Sequence, residues 1–70
     1  MLYGMLRNAL ETGRKLVIIY NKDGRITQRK IKVLGVDHHR ILAYCYLRNR
    51  IRTFKKDSVL AATYSSLRSA

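Results

Sequence analysis

Two stretches of the chain crowd basic side chains together. Arg48, Arg50, Arg52, Lys55 and Lys56 fall within one short segment, and Arg25, Arg29, Lys30 and Lys32 within another. Arginine outnumbers lysine in this set. A guanidinium donates two parallel N–H bonds to a phosphate or carboxylate, whereas an ammonium acts as a point charge. An arginine-rich cluster therefore favours a shaped phosphate or base site over a diffuse cationic cloud. Tyr44, Tyr46 and Phe54 lie in neighbouring stretches. A nucleic-acid base stacks on an aromatic ring for roughly 1–3 kcal/mol. Basic residues interleaved with aromatics on a small domain make a layout suited to single strands.

Catalytic chemistry lacks its parts. His38 and His39 are adjacent, so on an extended segment they point to opposite sides. No further ligands fall at metal-site spacing beside them. Glu11, Asp23, Asp37 and Asp57 are scattered, with no paired carboxylates and no glycine loop that would cradle phosphates. Cys45 sits in an apolar alternation and reads as an inert core thiol. The expectation is a binding module without enzymatic activity, cofactor or metal.

The rest of the composition frames that expectation. Fifteen Lys and Arg against four acids give a formal net charge of +11, where solubility alone asks for roughly 2–8 in a small domain. Like charges packed this closely repel one another, and a polyanion relieves the repulsion. At 70 residues the chain makes one domain, 1–70. A core of this size supplies only roughly 3–5 kcal/mol, which leaves room for one barrel and one binding face. The hydrophobic share of 47% argues for a folded chain. One cysteine forbids an internal disulfide and, with no signal-peptide pattern, fits the reducing cytoplasm. The longest apolar run, Leu16 to Tyr20, is far too short to span a bilayer.

Periodicity supplies the elements that must position these residues. Leu2, Leu6, Ala9 and Leu10 recur at helical spacing, and Gly13 follows where a helix ends. This predicts a helix over 2–12. Leu16 to Tyr20 is apolar on both faces, as in a strand covered on both sides. Asp23-Gly24 centres a tight turn. From Ile26 to Leu34, Arg29, Ile31 and Val33 share one face while Gln28, Lys30 and Lys32 share the other. Gly35 to His39 reads as a connection. Arg40 to Leu47 alternates again, with Ile41, Ala43, Cys45 and Leu47 on the apolar side. Ile51 to Lys55 and Val59 to Tyr64 complete five strands, and Ser65 to Ala70 reads as a frayed tail. A helix followed by five short, tightly connected strands predicts a mainly β fold: an N-terminal helix packed on a five-stranded antiparallel small barrel over about 15–64.

Arg29 stands out because it belongs to the inward set. A buried guanidinium needs a hydrogen-bonding or anionic partner, and acids are few. The turn near Asn49 leaves the neighbouring hairpin open. A two-residue loop pairs Arg52 with Leu47 and Phe54 with Cys45. A three-residue loop pairs Arg52 with Arg48 and Phe54 with Tyr46, and the one-residue slip exchanges faces. Lys22, Lys55 and Lys56 read as solvated, and Phe54 reads first as core.

The order of Tyr20, Gly24, Arg29, the run Ala43-Tyr44-Cys45, then Arg48, Arg52 and Phe54 resembles the WYL domain. The resemblance covers roughly residues 6–64. Where the name-giving triplet would fall the chain reads His39-Arg40-Ile41, and Val33 replaces an expected proline, so the chain resembles a divergent member. The resemblance implies an Sm-like, SH3-type barrel. It also implies a regulatory ligand-binding module of the kind often joined to helix-turn-helix domains in bacterial transcription factors. Here it would stand alone, since the chain has no room for such a domain. Finally, it implies an anionic ligand, a nucleotide or single-stranded DNA or RNA, held through Arg29, Tyr44, Arg48, Arg52 and Phe54. The competing expectation is a structural or protein-interaction module, or a homo-oligomer of Sm-like type, without a specific nucleic-acid ligand.

Overall fold

Gly13 ends the first element as its position predicts. In the computed structural model, which describes residues 2–65, the helix α1 spans Leu2–Thr12. Gly13 adopts φ 75 and donates its N–H to the Ala9 carbonyl at 2.9 Å, the left-handed cap that glycine reaches without strain. Leu6 and Ala9 are fully buried. Leu2, Met5 and Leu10 pack around them at partial burial, so Leu10 lies at the edge of the core rather than inside it.

Five strands follow: β1 (Lys15–Lys22), β2 (Arg25–Val36), β3 (Arg40–Cys45), β4 (Arg50–Lys55) and β5 (Val59–Tyr64), with a 3-10 turn at Lys56–Ser58 between the last two. All pairings are antiparallel, in the order β4-β3-β2-β1-β5. The β1–β2 hairpin turns at Asp23 (φ 53) and Gly24 (φ 87). Two successive positive φ values match the right-handed twist of the strands. The Asn21 side-chain oxygen accepts the Gly24 N–H at 2.9 Å and closes the turn.

Alternation decides the core. Leu16, Ile18 and Tyr20 from β1, Ile31 and Val33 from β2, and Ile41, Ala43 and Cys45 from β3 all point inward, and Phe54 joins them from β4. The opposite side of β1 is only half covered: Val17 and Ile19 are intermediate, so this strand is not sealed on both faces as its composition predicts. Leu47, expected on the apolar side of β3, lies beyond the strand in the turn and is 60% exposed. Gly35 and Val36, expected in a connection, extend β2 past a register shift near Leu34. A second shift, in the β1–β5 ladder between Ile19 and Tyr20, leaves Leu60 unpaired. Bulges of this kind bend a sheet and deepen its twist.

The sheet curls without closing. At about 4.8 Å per strand, β4 and β1 would stand about 14 Å apart across a flat sheet. The rings of Phe54 and Tyr20 nevertheless meet edge to face at 5.0 Å. The closed barrel that the resemblance implies is not formed, because β4 and β5 remain the two edges and share no ladder. A side chain ties β4 to β1 instead: the Lys55 N–H at the end of β4 donates to the Tyr20 hydroxyl at 3.0 Å. At the other end Ser65 donates its N–H to the Lys15 carbonyl at 2.9 Å, so the first residue of the expected tail is tied to β1. The remainder of that tail lies outside the described residues.

Candidate anion-binding site

The hairpin register decides which arginines meet. Cys45 pairs with Arg50, Ala43 with Arg52 and Ile41 with Phe54, around a four-residue turn at 46–49. Neither the two-residue nor the three-residue loop forms. The four-residue turn keeps the face parity of the shorter alternative, so Arg52 and Phe54 share the inner face with Ala43 and Ile41. Asn49, at φ 56, supplies the left-handed residue that lets the chain reverse there.

Inner-face positions near the open mouth of the curled sheet are filled by Tyr20, Arg29, Arg52 and Phe54, which line one depression of about 200 Å³. A second hollow of about 450 Å³ lies on the other side of Arg29, bounded by Arg25, Thr27, Leu47 and Arg48. Lys22 and Asp23, at the tip of the first hairpin, border both. Lys22 is exposed, as a solvated lysine should be, and it stands at the rim of the cleft. The first hollow is smaller than the usual volume for a drug-sized ligand, roughly 300–1,000 Å³, and suits a phosphate or sugar-phosphate.

Arg29 is the centre of this arrangement. It is 5% exposed. Its Nε donates to the Thr27 hydroxyl at 3.1 Å, and its Nη1 to the Cys45 sulfur at 3.7 Å. Its guanidinium carbon stands 5.9 Å from the Phe54 ring centroid. Among the described residues Nη2 has no protein partner, and no buried polar side-chain atom is left unsatisfied, so Nη2 keeps its access to the cleft. No carboxylate is paired with it among the described residues: Asp23 borders the same hollows without forming an ion pair to Arg29. The one ion pair among the described residues is Arg7–Glu11 at 3.4 Å, out on the helix. Arg29 is thus a nearly buried cation held by a hydroxyl and a sulfur.

Cys45 answers to that cation. Burial pushes its thiol up, but the N–H groups of Arg48 and Leu47 together with the Arg29 guanidinium outweigh burial and hold it below the ordinary value of 9.0. The side chain is itself fully buried. Thr27 and Cys45 thus grip two nitrogens of Arg29 and leave a third edge toward the cleft. Neither residue was singled out as a site from the sequence. The only available signal was their place on the inner side of the sheet beside Arg29.

The five residues marked by the resemblance divide. Arg29, Arg52 and Phe54 come together in the first hollow, and Arg48 joins Arg29 in the second. Phe54 is 2% exposed with its ring against Tyr20, so it supports the cleft from within and offers no free face. Tyr44 stands on the other side of the sheet. It pairs across strands with Lys32 and Ile51 and packs edge to face on Tyr46 at 4.9 Å.

No group of His, Cys, Asp or Glu able to hold a metal occurs among the described residues, and no described helix is long and apolar enough to cross a membrane. At the sequence level no curated protein matches the chain. Among solved structures it is similar to proteasome accessory factor B/C (PafBC) of Arthrobacter aurescens, with a TM-score of 0.80 and 24% identity over 93% of this chain. That alignment spans 11% of the PafBC chain, so the likeness is one of fold over a single module of a much longer protein. The WYL domain profile matches residues 2–64, nearly the whole length, and the chain belongs to the WYL domain family.

Proposed function

We propose that this chain is a cytoplasmic, non-enzymatic regulatory module that binds a phosphate-bearing ligand, a nucleotide or a stretch of single-stranded nucleic acid, in the cleft around Arg29. One observation carries the reading: a guanidinium 5% exposed, with a free edge in a cleft and in no ion pair with a carboxylate among the described residues. Burying a charge without a counter-charge costs several kcal/mol, and a bound phosphate removes that cost. Arg52 and Arg48 supply further forks on the two sides of Arg29, and Lys22 closes the rim. Family membership and the PafBC likeness support a ligand-sensing role.

The test is a titration of a 5′-mononucleotide and of labelled oligothymidylate at two salt concentrations. Four or five phosphate contacts on a single strand give a log–log slope of about −3 to −3.5. Arg29→Ala and Arg52→Ala each weaken mononucleotide binding by roughly 1–3 kcal/mol, as loss of a charged hydrogen-bond partner does. Arg7→Ala, out on the helix, leaves it unchanged. Equal small losses at all three positions would show a diffuse charge effect and sink the shaped site.

The unpaired edges favour a second reading, in which β4 and β5 pair with another copy. Ile51 on β4 and Leu60 on β5 are 59% and 56% exposed. Salt separates the two readings by sign. Screening weakens phosphate binding but strengthens association between two copies of a +11 chain. Sedimentation of the free protein at low and high salt reads that difference directly.

A further inference from the structure

The face of the sheet turned away from the core carries a second cluster with no carboxylate in it. Lys15 pairs across strands with Lys32, Lys32 with Tyr44, and Tyr44 with Ile51, so one row runs over four strands. Beside it Lys30 occupies the next outward position of β2, and the Tyr46 N–H donates to the Lys30 carbonyl at 3.0 Å. The rings of Tyr44 and Tyr46 meet at 4.9 Å with an interplanar angle of 71°, and Lys15 Nζ lies 5.1 Å from the centre of the Tyr46 ring. The three lysines are exposed and both tyrosines are half-buried.

Two features of this face call for a partner. Like charges directly opposite across an antiparallel pair destabilise it, and Lys15 faces Lys32 with no carboxylate to offset them. The acids sit elsewhere: Glu11 on the helix, Asp23 and Asp37 in turns, and Asp57 in the 3-10 segment. The cleft around Arg29 also lacks a free aromatic face, because Phe54 is packed from within, whereas Tyr44 and Tyr46 reach the surface.

We propose that Lys15, Lys30, Lys32, Tyr44 and Tyr46 form a second site, separate from the Arg29 cleft, that binds single-stranded nucleic acid by stacking bases on the tyrosines and seating phosphates on the lysines. Charge sets the sign of the partner, and the tyrosine pair selects a polyanion that carries flat rings. Every base has a π-face, so such a surface is sequence-tolerant. Lysine suits this face as arginine suits the cleft. A solvated ammonium tracks a moving backbone, and one already resting on Tyr46 needs to shift only as far as the phosphate flanking a stacked base.

The experiment compares a labelled oligothymidylate with an abasic deoxyribose-phosphate strand of equal length, by anisotropy. The variants are Tyr46→Leu, Tyr46→Phe and Tyr44→Leu, each first shown to keep the wild-type melting temperature and circular dichroism. The leucine variants weaken oligothymidylate binding about tenfold, within the range that base–aromatic stacking supplies. They leave the abasic strand unchanged, and Tyr46→Phe retains wild-type affinity. Replacing the three lysines by Gln weakens both strands and lowers the salt slope by about 2. The proposal is overturned if oligothymidylate and the abasic strand bind alike, or if the leucine variants lose nothing. It is equally overturned if poly-glutamate displaces the oligothymidylate as well as unlabelled strand does, which would make the face a dock for acidic proteins. Arg29→Ala, measured with a mononucleotide, reports on the cleft alone, so failure of one site leaves the other standing.

Discussion

The two sides of this small sheet gather similar numbers of cations and treat them differently. On the inner side, at the mouth, the cations are chiefly arginines, and Arg29 is nearly buried and fixed by Thr27 and Cys45. On the outer side Lys15, Lys30 and Lys32 stand exposed beside half-buried tyrosines. The difference is one of hydration. A guanidinium is weakly hydrated and presents a rigid fork, so it tolerates removal from water and holds a fixed geometry. An ammonium is strongly hydrated and flexible. A charge held nearly dry at a mouth keeps one geometry, whereas charges held wet on a face stay free to move.

Substitution of Phe54 attacks the comparison hardest. It is 2% exposed and carries the contact between β4 and β1. Phe54→Ala costs about 3–5 kcal/mol, comparable to the whole stability expected of so small a core, roughly 3–5 kcal/mol. Chemical denaturation will show a protein largely unfolded without denaturant. A native-like Phe54→Ala would mean that the curl at the mouth does not depend on that packing.

Arg29→Met separates function from stability at the same site. An apolar side chain of similar length removes a buried charge that no carboxylate pairs, and the desolvation cost of that charge goes with it. Titration and thermal melts on one sample should give lost mononucleotide binding and an unchanged or raised melting temperature. Lys32→Met on the outer side stays within about 0.5 kcal/mol of the wild type, as exposed substitutions do. A fall in stability at Arg29→Met would show that the guanidinium is a structural strut.

A smaller effect is expected at the seam. Tyr20→Phe removes the acceptor of the Lys55 N–H and costs about 0.5–1.5 kcal/mol, read as a shift in the denaturation midpoint with the slope unchanged. Smallest is the pH dependence carried by Cys45. Its folded value is held below 9.0, so the unfolded chain binds more protons between that lowered value and 9.0. Stability therefore rises with pH through the window and is lost as pH falls through the folded value. Cys45→Ala should flatten that rise relative to the wild type, while Lys30→Gln should leave it intact.

Much of this contrast was legible from residue order. Period-two alternation placed Arg29 inward with Ile31 and Val33, and Lys30 and Lys32 outward, and helical spacing fixed Leu2–Thr12. Element ends came through where a glycine or a charged cluster marked them, as at Gly13 and Lys56–Ser58. The register beyond Cys45 was not legible. Tyr46 and Leu47 continue the strand-like pattern yet belong to the turn, and nothing local distinguishes a four-residue reversal from a shorter one. Closure of the sheet was hidden for a similar reason. Alternation reports which side of a strand is buried, but how far β4 curls toward β1 depends on contacts distant in sequence, such as that of the Lys55 N–H with the Tyr20 hydroxyl. Lys22 illustrates the same limit, since the last residue of β1 reaches the rim of the cleft only through the curl of the sheet.

The strand order has a kinetic consequence. Three of the four ladders join sequence neighbours, β1–β2, β2–β3 and β3–β4, and can zip one hairpin at a time. The fourth joins Leu16 to Tyr64 and Val17 to Thr63, and closing so long a loop carries an entropy cost before any contact repays it. Docking of β5 is thus the natural last step of folding and the first to reverse. Because its ladder also holds the register shift at Leu60, amide exchange along Val59–Tyr64 should outpace exchange in β2, and a protease should find this strand before any other in the sheet.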